Sequence, residues 1–293
     1  MDTSIIINIV ILILYHFLYS QIVMPEGVEV SFLTDVLSKH LQGQSLQRIK
    51  WVSGRYVHHG VPKNTDAFAR SLPLKCTSIE NKGKVIFFFF EDSWCLISKL
   101  GMTGWWYIDT DKPTWHKSQT DVQFQFDRNV LNYTDFRNFG TIAITQDKNL
   151  IKKEMDQLAP DIIKPMTTYK TFQQQLNKIS TKRQNTLIED ALLDQKFIVS
   201  GIGNYLKAEI LYDAKISPVR PIHTISPTEW QRFYRSARRV IKRMLRAVYL
   251  KDDEVYLNSM KVYRQDKDPQ GNPVQKHTTK QGRTTFWVPS IQK

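Results

Sequence analysis

The chain has 293 residues, with 41 Lys and Arg against 28 Asp and Glu, and its formal net charge at pH 7 is +13. Apolar residues make up 41% and charged residues 24%, which is typical of a globular protein and excludes a disordered chain, a collagen and a multispan membrane protein. The length predicts roughly two domains.

The positive charge is concentrated in the second half of the chain. Residues 24–160 hold 17 basic and 15 acidic groups, whereas residues 161–293 hold 24 basic and 12 acidic groups. This asymmetry indicates a module that binds a polyanion, joined to a nearly neutral module. A solvated basic surface is the alternative.

Residues 1–23 form a hydrophobic N-terminal extension. The run from Ile5 to Val23 is about long enough to cross a bilayer, which takes roughly 20 residues. It is a poor secretory signal, because no Lys or Arg precedes the apolar run and no small-residue cleavage site precedes Met24. A third interpretation is that translation starts at Met24 and that the active protein lacks the extension.

From Met24 the pattern predicts one helix followed by strands. Val30, Leu33 and Leu37 recur with helical spacing before Gly43. Seven strand-like runs follow, at residues 46–53, 75–79, 85–90, 94–100, 104–108, 122–126 and 141–145. They predict an α+β fold in which residues 24–160 form the N-terminal helix and a two-layer antiparallel β-sandwich.

The pattern becomes helical in residues 161–260. Helices are predicted at residues 169–179, 183–193, 203–212 and 227–249, with prolines in the connections. Residues 261–293 return to short strands and turns. They predict a β-hairpin with a loop rich in Gly and Pro, at residues 268–273.

The most distinctive chemistry lies in the run MPEGVEV, residues 24–30. Removal of Met24 would leave Pro25 with a free secondary amine, which can attack a sugar C1′ and form an iminium ion that acts as an electron sink. Glu26 and Glu29 could move protons to and from the sugar. Pro and Glu are also common in the first turn of a helix, so this run alone does not decide the function.

Five motifs together resemble the formamidopyrimidine-DNA glycosylase / endonuclease VIII family. MPEGVEV is similar to the family's MPEGPE start, NKGK at 81–84 to its catalytic-lysine strand, KLGMTG at 99–104 to HLGMSG, and YTDFRNFG at 133–140 to YTDPRRFG. Residues 192–211 resemble the family's helix–two-turn–helix, nearest to the endonuclease VIII branch. The motifs follow the family's order, and the resemblance covers residues 24–293.

The resemblance implies four catalytic residues. Pro25 would be the nucleophile on C1′, Glu26 the general acid that protonates the sugar ring oxygen, and Glu29 an assistant in proton transfer. Lys84 would contact the phosphate beside the lesion and help position the sugar, with Lys82 as a lesser candidate. A peptide bond from Met24 would make the Pro25 nitrogen a tertiary amide, so this chemistry requires a chain that begins at Pro25.

The resemblance also implies a wedge that fills the hole left by an extruded base. Met102, Arg137 and Phe139 match that wedge, which recovers part of the stacking energy that flipping costs. Core packing is the alternative for Met102 and Phe139. Phe136 and Asn138 depart from the family's pattern, which leaves the lesion and opposite-base preference open.

Asn204 and Arg283 would bind the phosphates that flank the lesion. Asn204 follows a glycine turn that opens a helix, where backbone N–H groups suit a phosphate. Seven basic residues also lie along one predicted helix, and the sequence does not show which of them reach DNA: Arg232, Arg235, Arg238, Arg239, Lys242, Arg243 and Arg246.

The C-terminal hairpin resembles the family's zinc finger but lacks its four cysteines. The two cysteines of the chain, Cys76 and Cys95, lie far upstream in apolar runs typical of buried strands. We therefore predict a zinc-less finger over residues 261–293, with no metal and no cofactor. Phe286 and Trp287 would supply the packing that a metal supplies elsewhere. A decayed finger that no longer binds DNA is the alternative.

The resemblance predicts a bifunctional DNA glycosylase/AP lyase of base excision repair. It would act as a monomer on double-stranded DNA with oxidised bases or abasic sites, without a membrane, in the nucleus or another DNA-containing compartment. The helix–two-turn–helix favours oxidised pyrimidines and cleavage by β,δ-elimination through a Schiff base. The alternatives are a formamidopyrimidine-type enzyme for 8-oxoguanine, a non-catalytic binder of damaged DNA, and a membrane-tethered protein that keeps residues 1–23.

Overall fold

The computed structural model describes residues 24–109, 120–250 and 253–293, so the predicted extension at residues 1–23 lies outside the described residues. The described residues form two compact units. One holds Met24, Pro25 and Val30–Met155, and the other holds Glu26–Glu29 and Asp156–Lys293. The second unit therefore contains the C-terminal hairpin and also the first turn of the N-terminal helix, which the sequence assigns to the sandwich.

The described part of the first unit is mostly antiparallel sheet. Its strands are β1 (Ser45–Trp51), β2 (Leu74–Lys82), β3 (Val85–Phe90), β4 (Cys95–Lys99), β5 (Gly104–Ile108), β6 (Val122–Phe126), β7 (Val130–Asp135) and β8 (Thr141–Thr145). Its helices are α1 (Gly27–Leu41, which begins in the second unit), α2 (Arg55–His58), α3 (Thr65–Arg70) and α4 (Lys148–Asp156). The strands pair in the order β5-β7-β6-β1-β2-β3-β4-β8.

The sheet folds over between β1 and β2, which share a short paired segment. The Trp106 ring of β5 lies 5.3 Å from the Phe88 ring of β3, measured between centroids. Trp106 Nε1 also donates to Ser98 Oγ of β4 at 2.9 Å. These strands are distant in the sheet order, so the two halves of the sheet face each other across an apolar core. The predicted two-layer sandwich is confirmed.

The second unit is helical and ends in a hairpin. Its elements are α5 (Tyr169–Leu176), α6 (Ile188–Leu193), α7 (Asn204–Asp213), α8 (Pro227–Leu250), α9 (Asp253–Asn258), β9 (Gln275–Thr278) and β10 (Thr284–Trp287). Phe172 of α5 is fully buried, and the rings of Trp230 and Phe233 on α8 lie 5.9 Å from it. A search of the described residues finds no helix with the length and apolar content that a membrane span needs.

The helical and sandwich parts differ from the sequence predictions at several elements, since the short helices α2, α3, α4 and α9 are not predicted. The sequence does not predict β7, because Asn132, Thr134 and Asp135 interrupt its apolar pattern, yet all three side chains are buried. The helix predicted at 183–193 begins only at Ile188. The preceding Leu187 is extended and forms a bridge with Pro221, so this segment pairs with another stretch of chain instead of extending the helix.

The predicted hairpin exists, but its loop lies elsewhere. Residues 279–283 join β9 to β10, and the Gly- and Pro-rich residues 268–273 precede the hairpin. The Asp268 carboxylate accepts hydrogen bonds from the backbone N–H groups of Gln270 and Asn272, at 2.9 and 2.8 Å. Residues 268–272 therefore fold into a separate turn around this carboxylate.

Candidate active site and DNA-binding residues

Glu26 is a buried carboxylate held at the N-terminus of α7. The backbone N–H groups of Gly203 and Leu206 donate to Oε2 at 2.8 and 3.1 Å, and that of Tyr205 donates to Oε1 at 2.8 Å. The first N–H groups of a helix have no partner within the helix and carry a partial positive charge. They stabilise the charged carboxylate, so the helix–two-turn–helix presents Glu26 as an anion.

The glycine of MPEGVEV is required by close approach of the backbone. A Cβ on Gly27 would lie 2.6 Å from Ile163 Cγ1 and 2.7 Å from Gly201 Cα. Gly27 N also donates to Gly201 O at 2.8 Å, and Gly201 itself has a φ of +96°. The start of α1 and the glycine turn before α7 fit together because both residues lack a side chain. Contact between the two motifs therefore depends on both glycines.

Glu29 is also buried, but its environment favours the protonated form. Its Oε1 accepts from the hydroxyls of Tyr205 and Tyr256 at 2.7 and 3.0 Å, and its Oε2 accepts from Glu26 N at 2.9 Å. The pKa of Glu29 is raised to about 7, mainly by burial; the Tyr205 hydroxyl opposes this effect and the nearby Glu26 charge adds to it. Glu29 is therefore the member of the pair that can hold and release a proton near neutral pH. The general-acid role of Glu26 stays a prediction.

The raised pKa of Glu29 predicts a pH-dependent stability. Below about pH 4.5 the carboxyl is protonated in both the folded and the unfolded chain, and between about 4.5 and 7 only the folded chain keeps the proton. The free energy of unfolding should therefore fall over this window as pH rises, by roughly 3 kcal/mol. Glu29→Gln should remove this contribution, as measured by urea denaturation at several pH values. The exposed Glu254→Gln is the control, and an equal pH dependence in all three proteins would contradict the prediction.

Pro25 and Lys84 lie in the first unit, and both are half-buried. Lys84 occupies the second position of the two-residue turn between β2 and β3, after Gly83 with a φ of +57°. Turns of this kind need glycine at their first position. Lys82 Nζ donates to the carbonyl of Met155 at 2.7 Å, at the end of α4. That bond assigns a structural role to Lys82, and Lys84 remains the predicted phosphate contact.

The three predicted wedge residues lie on two turns of the first unit. Met102 is half-buried on the turn before β5, and Arg137 and Phe139 are exposed on the turn between β7 and β8. The Arg137 guanidinium lies 5.3 Å from the centroid of the Phe139 ring. Phe139 is 56% exposed and Phe136 is 75% exposed, so the core-packing alternative is wrong for Phe139. Exposed aromatic rings on one short turn are typical of a binding surface.

The two wedge turns are locked against each other. A Cβ on Gly101 would lie 2.7 Å from the backbone of Phe139, and a Cβ on Gly140 would lie 2.0 Å from the Tyr133 hydroxyl. The Asp135 carboxylate joins the turns, because it accepts from Gly140 N and from the Thr103 hydroxyl. Gly101 and Gly140 are therefore needed for the contact between the two turns. This contact fixes the backbone that carries Met102, Arg137 and Phe139.

Asn204 and Arg283 lie near each other in the second unit. Asn204 Nδ2 donates to the carbonyl of Thr284 at 2.8 Å, and Thr284 directly follows Arg283. Arg283 is half-buried and ends the hairpin loop, where its carbonyl accepts from Thr279 N at 2.8 Å. The glycine turn and the finger therefore bring the two predicted phosphate contacts together, although 78 residues separate them between positions 204 and 283.

Four of the seven basic residues on α8 have internal partners. Arg239 and Arg243 pair with Asp213 and Glu209, and two others donate to backbone carbonyls. The residues so engaged are Arg232, Arg238, Arg239 and Arg243. The exposed side chains Arg235, Lys242 and Arg246 are the better candidates for DNA contact.

Both cysteines are buried in strands, and burial raises the pKa of each thiol to about 12. Within residues 24–109, 120–250 and 253–293 we find no group of three or more His, Cys, Asp or Glu placed to hold a metal ion. In the finger, Phe286 is buried and its ring lies 5.2 Å from that of Tyr263. The predicted packing role of Phe286 therefore agrees with its position.

Three protein families match this chain in succession. Residues 24–142 match the formamidopyrimidine-DNA glycosylase N-terminal domain, residues 158–253 its H2TH domain and residues 247–293 its C-terminal domain. The formamidopyrimidine-DNA glycosylase of Geobacter metallireducens is 30% identical over 222 residues, which are 75% of this chain and 78% of that protein.

Solved structures give the same result. The Lactococcus lactis formamidopyrimidine-DNA glycosylase bound non-covalently to DNA with an AP site has a TM-score of 0.75 and 25% identity, and covers 92% of this chain and 100% of its own. The same enzyme with DNA that contains an oxidised pyrimidine has a TM-score of 0.74, 25% identity and the same coverage. The chain therefore belongs to the formamidopyrimidine-DNA glycosylase / endonuclease VIII family of DNA repair enzymes, which are DNA N-glycosylases with AP lyase activity.

Proposed function

We propose that this DNA glycosylase excises oxidised bases with the amine of an N-terminal Pro25 and cuts the strand at the resulting abasic site. The observation that carries the proposal is the carboxylate pair that directly follows Pro25 in the chain. Glu26 is fixed as an anion by three backbone N–H groups, and the pKa of Glu29 is raised to about 7. The first family match begins at Met24, which supports a working chain that starts at Pro25.

In this mechanism the Pro25 nitrogen attacks C1′ of the flipped nucleotide, and the bond from C1′ to the damaged base breaks. Opening of the sugar ring transfers a proton to its oxygen and leaves an iminium ion on C1′. The Glu26 anion stabilises this cation, and Glu29 exchanges the proton near neutral pH. Loss of a C2′ proton then expels the 3′ phosphate, and a second elimination expels the 5′ phosphate. Lys84 holds a phosphate beside the lesion.

Borohydride trapping on duplex DNA with an abasic site tests this mechanism. Borohydride reduces the iminium ion to a stable amine, so protein that begins at Pro25 should become covalently linked to the DNA. Protein that keeps the Met24–Pro25 peptide bond should give no adduct, because its Pro25 nitrogen is an amide. Lys84→Ala in a chain that begins at Pro25 should still give the adduct, because the Pro25 amine forms the iminium ion. An adduct with the chain that keeps the Met24–Pro25 peptide bond would show that another amine is the nucleophile.

We further propose that formamidopyrimidine-type lesions, 8-oxoguanine and ring-opened purines, are the main substrates. The names of the matching families and relatives support this choice over the oxidised pyrimidines that the helix–two-turn–helix sequence favours. The structure of the Lactococcus lactis enzyme with an oxidised pyrimidine keeps the second class as a candidate. The test compares the single-turnover rates at which 8-oxoguanine and thymine glycol are excised from duplexes that are otherwise identical. We expect 8-oxoguanine to be excised faster. Faster excision of thymine glycol would reverse our proposal.

A further inference from the structure

The C-terminal hairpin carries a polar pair on directly opposed strand positions. His277 of β9 and Thr285 of β10 are partners in the strand register. Thr285 is buried, whereas the His277 side chain is 38% exposed. Side chains of opposed residues lie on the same face of a hairpin. A single group on that face can therefore hold both strands at once.

One carboxylate contacts both members of this pair. The Thr285 hydroxyl donates to Glu189 Oε2 at 2.6 Å, and His277 Nε2 lies 2.8 Å from Glu189 Oε1. Glu189 belongs to α6 and is fully buried. One oxygen of the carboxylate thus binds β10, and the other lies beside the His277 ring of β9 without accepting a hydrogen bond from any described residue. A metal ion in a zinc finger links chain segments in a comparable way, through one centre with several ligands.

A buried cation completes this arrangement. Lys207 of α7 is fully buried, and its Nζ donates to the Thr285 hydroxyl at 2.7 Å. Burial lowers the pKa of Lys207 to about 8, and the acidic neighbours Glu189, Glu26 and Asp190 oppose that effect while Arg283 adds to it. A buried charge without a partner is strongly destabilising, so Lys207 and Glu189 each require the other across the Thr285 hydroxyl.

The same helix also holds the neighbouring residue of the hairpin. Asn204, one turn before Lys207 on α7, binds the carbonyl of Thr284 at 2.8 Å. Two consecutive residues of β10 are therefore tied to α7, and the residue before them is Arg283. The backbone on the C-terminal side of Arg283 is fixed by these contacts.

We propose that Glu189, Lys207 and Thr285 form a metal-free clamp that fixes the zinc-less finger and thereby positions Arg283 on a DNA phosphate. The clamp residues are positioning residues, because they act through Arg283. This proposal rests on one part of the proposed function, namely that the protein binds DNA. It does not depend on the reaction at Pro25.

The salt dependence of DNA binding tests the clamp. The probe is a duplex with a tetrahydrofuran abasic analogue, bound non-covalently by protein that begins at Pro25. Each phosphate contact adds about 0.9 to the slope of log K against log salt. Arg283→Ala should lower the slope by about one contact. Thr285→Val, which keeps the shape but loses the hydroxyl, should lower it by the same amount and weaken binding roughly tenfold.

The decisive result is the double variant. If the clamp acts through Arg283, Thr285→Val combined with Arg283→Ala should have the slope of Arg283→Ala alone, because the two changes remove one contact. Thr285→Ser keeps the hydroxyl and should restore wild-type binding. Thr278→Val, at an exposed position of the opposing strand, is the matched control and should leave the slope unchanged. Additive effects, or a wild-type slope in Thr285→Val, would overturn the proposal.

Thermal unfolding shows whether Thr285→Val folds. If it does not fold, a second variant tests the clamp in its place. His277→Ala removes the half-exposed ring that lies beside the clamp residue Glu189 and should cause a smaller loss of the same slope. A wild-type slope in this variant would then count against the clamp. Failure of borohydride trapping would refute the proposed reaction and leave these binding measurements valid.

Discussion

Glu26→Gln should destabilise the second unit and abolish base excision. The carboxylate accepts three backbone N–H groups at the start of α7, two on one oxygen and one on the other. A glutamine amide has a single acceptor oxygen, so at least one of these N–H groups would face the amide NH₂. The negative charge at the helix N-terminus is lost as well. We expect a loss of roughly 3 kcal/mol in the free energy of unfolding, measured by urea denaturation at neutral pH.

The same substitution should slow single-turnover excision by about a thousandfold, because the proposed mechanism uses the Glu26 anion to stabilise the developing iminium ion. Glu229→Gln separates this effect from simple destabilisation. Glu229 also accepts a backbone N–H at a helix start, from Ser226 at 2.9 Å, and pairs with Arg220. Its replacement should lower stability while excision by the folded protein stays normal. Full excision by Glu26→Gln would remove Glu26 from the mechanism.

Gly140→Ala should strongly disturb the turn that carries Arg137 and Phe139. The new Cβ would lie 2.0 Å from the Tyr133 hydroxyl, 2.9 Å from an Asp135 carboxylate oxygen and 3.0 Å from the Leu100 carbonyl. The first two contacts require the buried Tyr133 and Asp135 side chains to shift, and the third requires the backbone beside Leu100 or Gly140 to move. We expect a loss of about 2–4 kcal/mol in thermal or urea unfolding, together with weaker binding of duplex DNA that contains an abasic site.

Tyr133→Phe provides a graded control for that prediction. The Tyr133 hydroxyl is buried, and no described residue forms a hydrogen bond with it. Its removal should therefore be neutral or stabilise the fold by up to about 1 kcal/mol. It should also reduce the cost of Gly140→Ala, since the nearest of the three contacts is gone. A Tyr133→Phe variant that is clearly less stable than the wild type would show that the hydroxyl does have a partner in solution.

The sequence predicts most of the sandwich because its strands bury regular apolar runs. The bounds of β3, β5, β6 and β8 agree with the predicted ones. It does not predict β7, whose buried Asp135 is satisfied by Thr103 and Gly140 from two other positions in the chain. From the sequence alone, a polar residue in a strand is predicted to be exposed, because its hydrogen-bonding partner is not known. Local periodicity does not contain that information.

The candidate site is also predicted from the sequence only in part. The motif identifies Glu26 and Glu29 as a pair, but their difference in character depends on groups far away in the chain. The N–H of Gly203, which helps to keep Glu26 charged, is 177 positions distant. Tyr256, which binds Glu29, is 227 positions distant. The clamp on the hairpin is equally invisible in the sequence, because it brings to Thr285 two residues, Glu189 and Lys207, that are 96 and 78 positions away in the chain.

The division of α1 between the two units has a consequence for biosynthesis. Glu26–Glu29 belong to the second unit, and their partners lie at positions 201–206 and 256. A ribosome makes Pro25, the proposed nucleophile, well before the groups that hold the Glu26 and Glu29 carboxylates. A nascent chain whose sandwich has folded therefore still lacks the partners of these two carboxylates. Under the proposed mechanism, base excision becomes possible only when the C-terminal half has folded, so an incomplete chain that begins at Pro25 has the amine but not the proton transfer that excision requires.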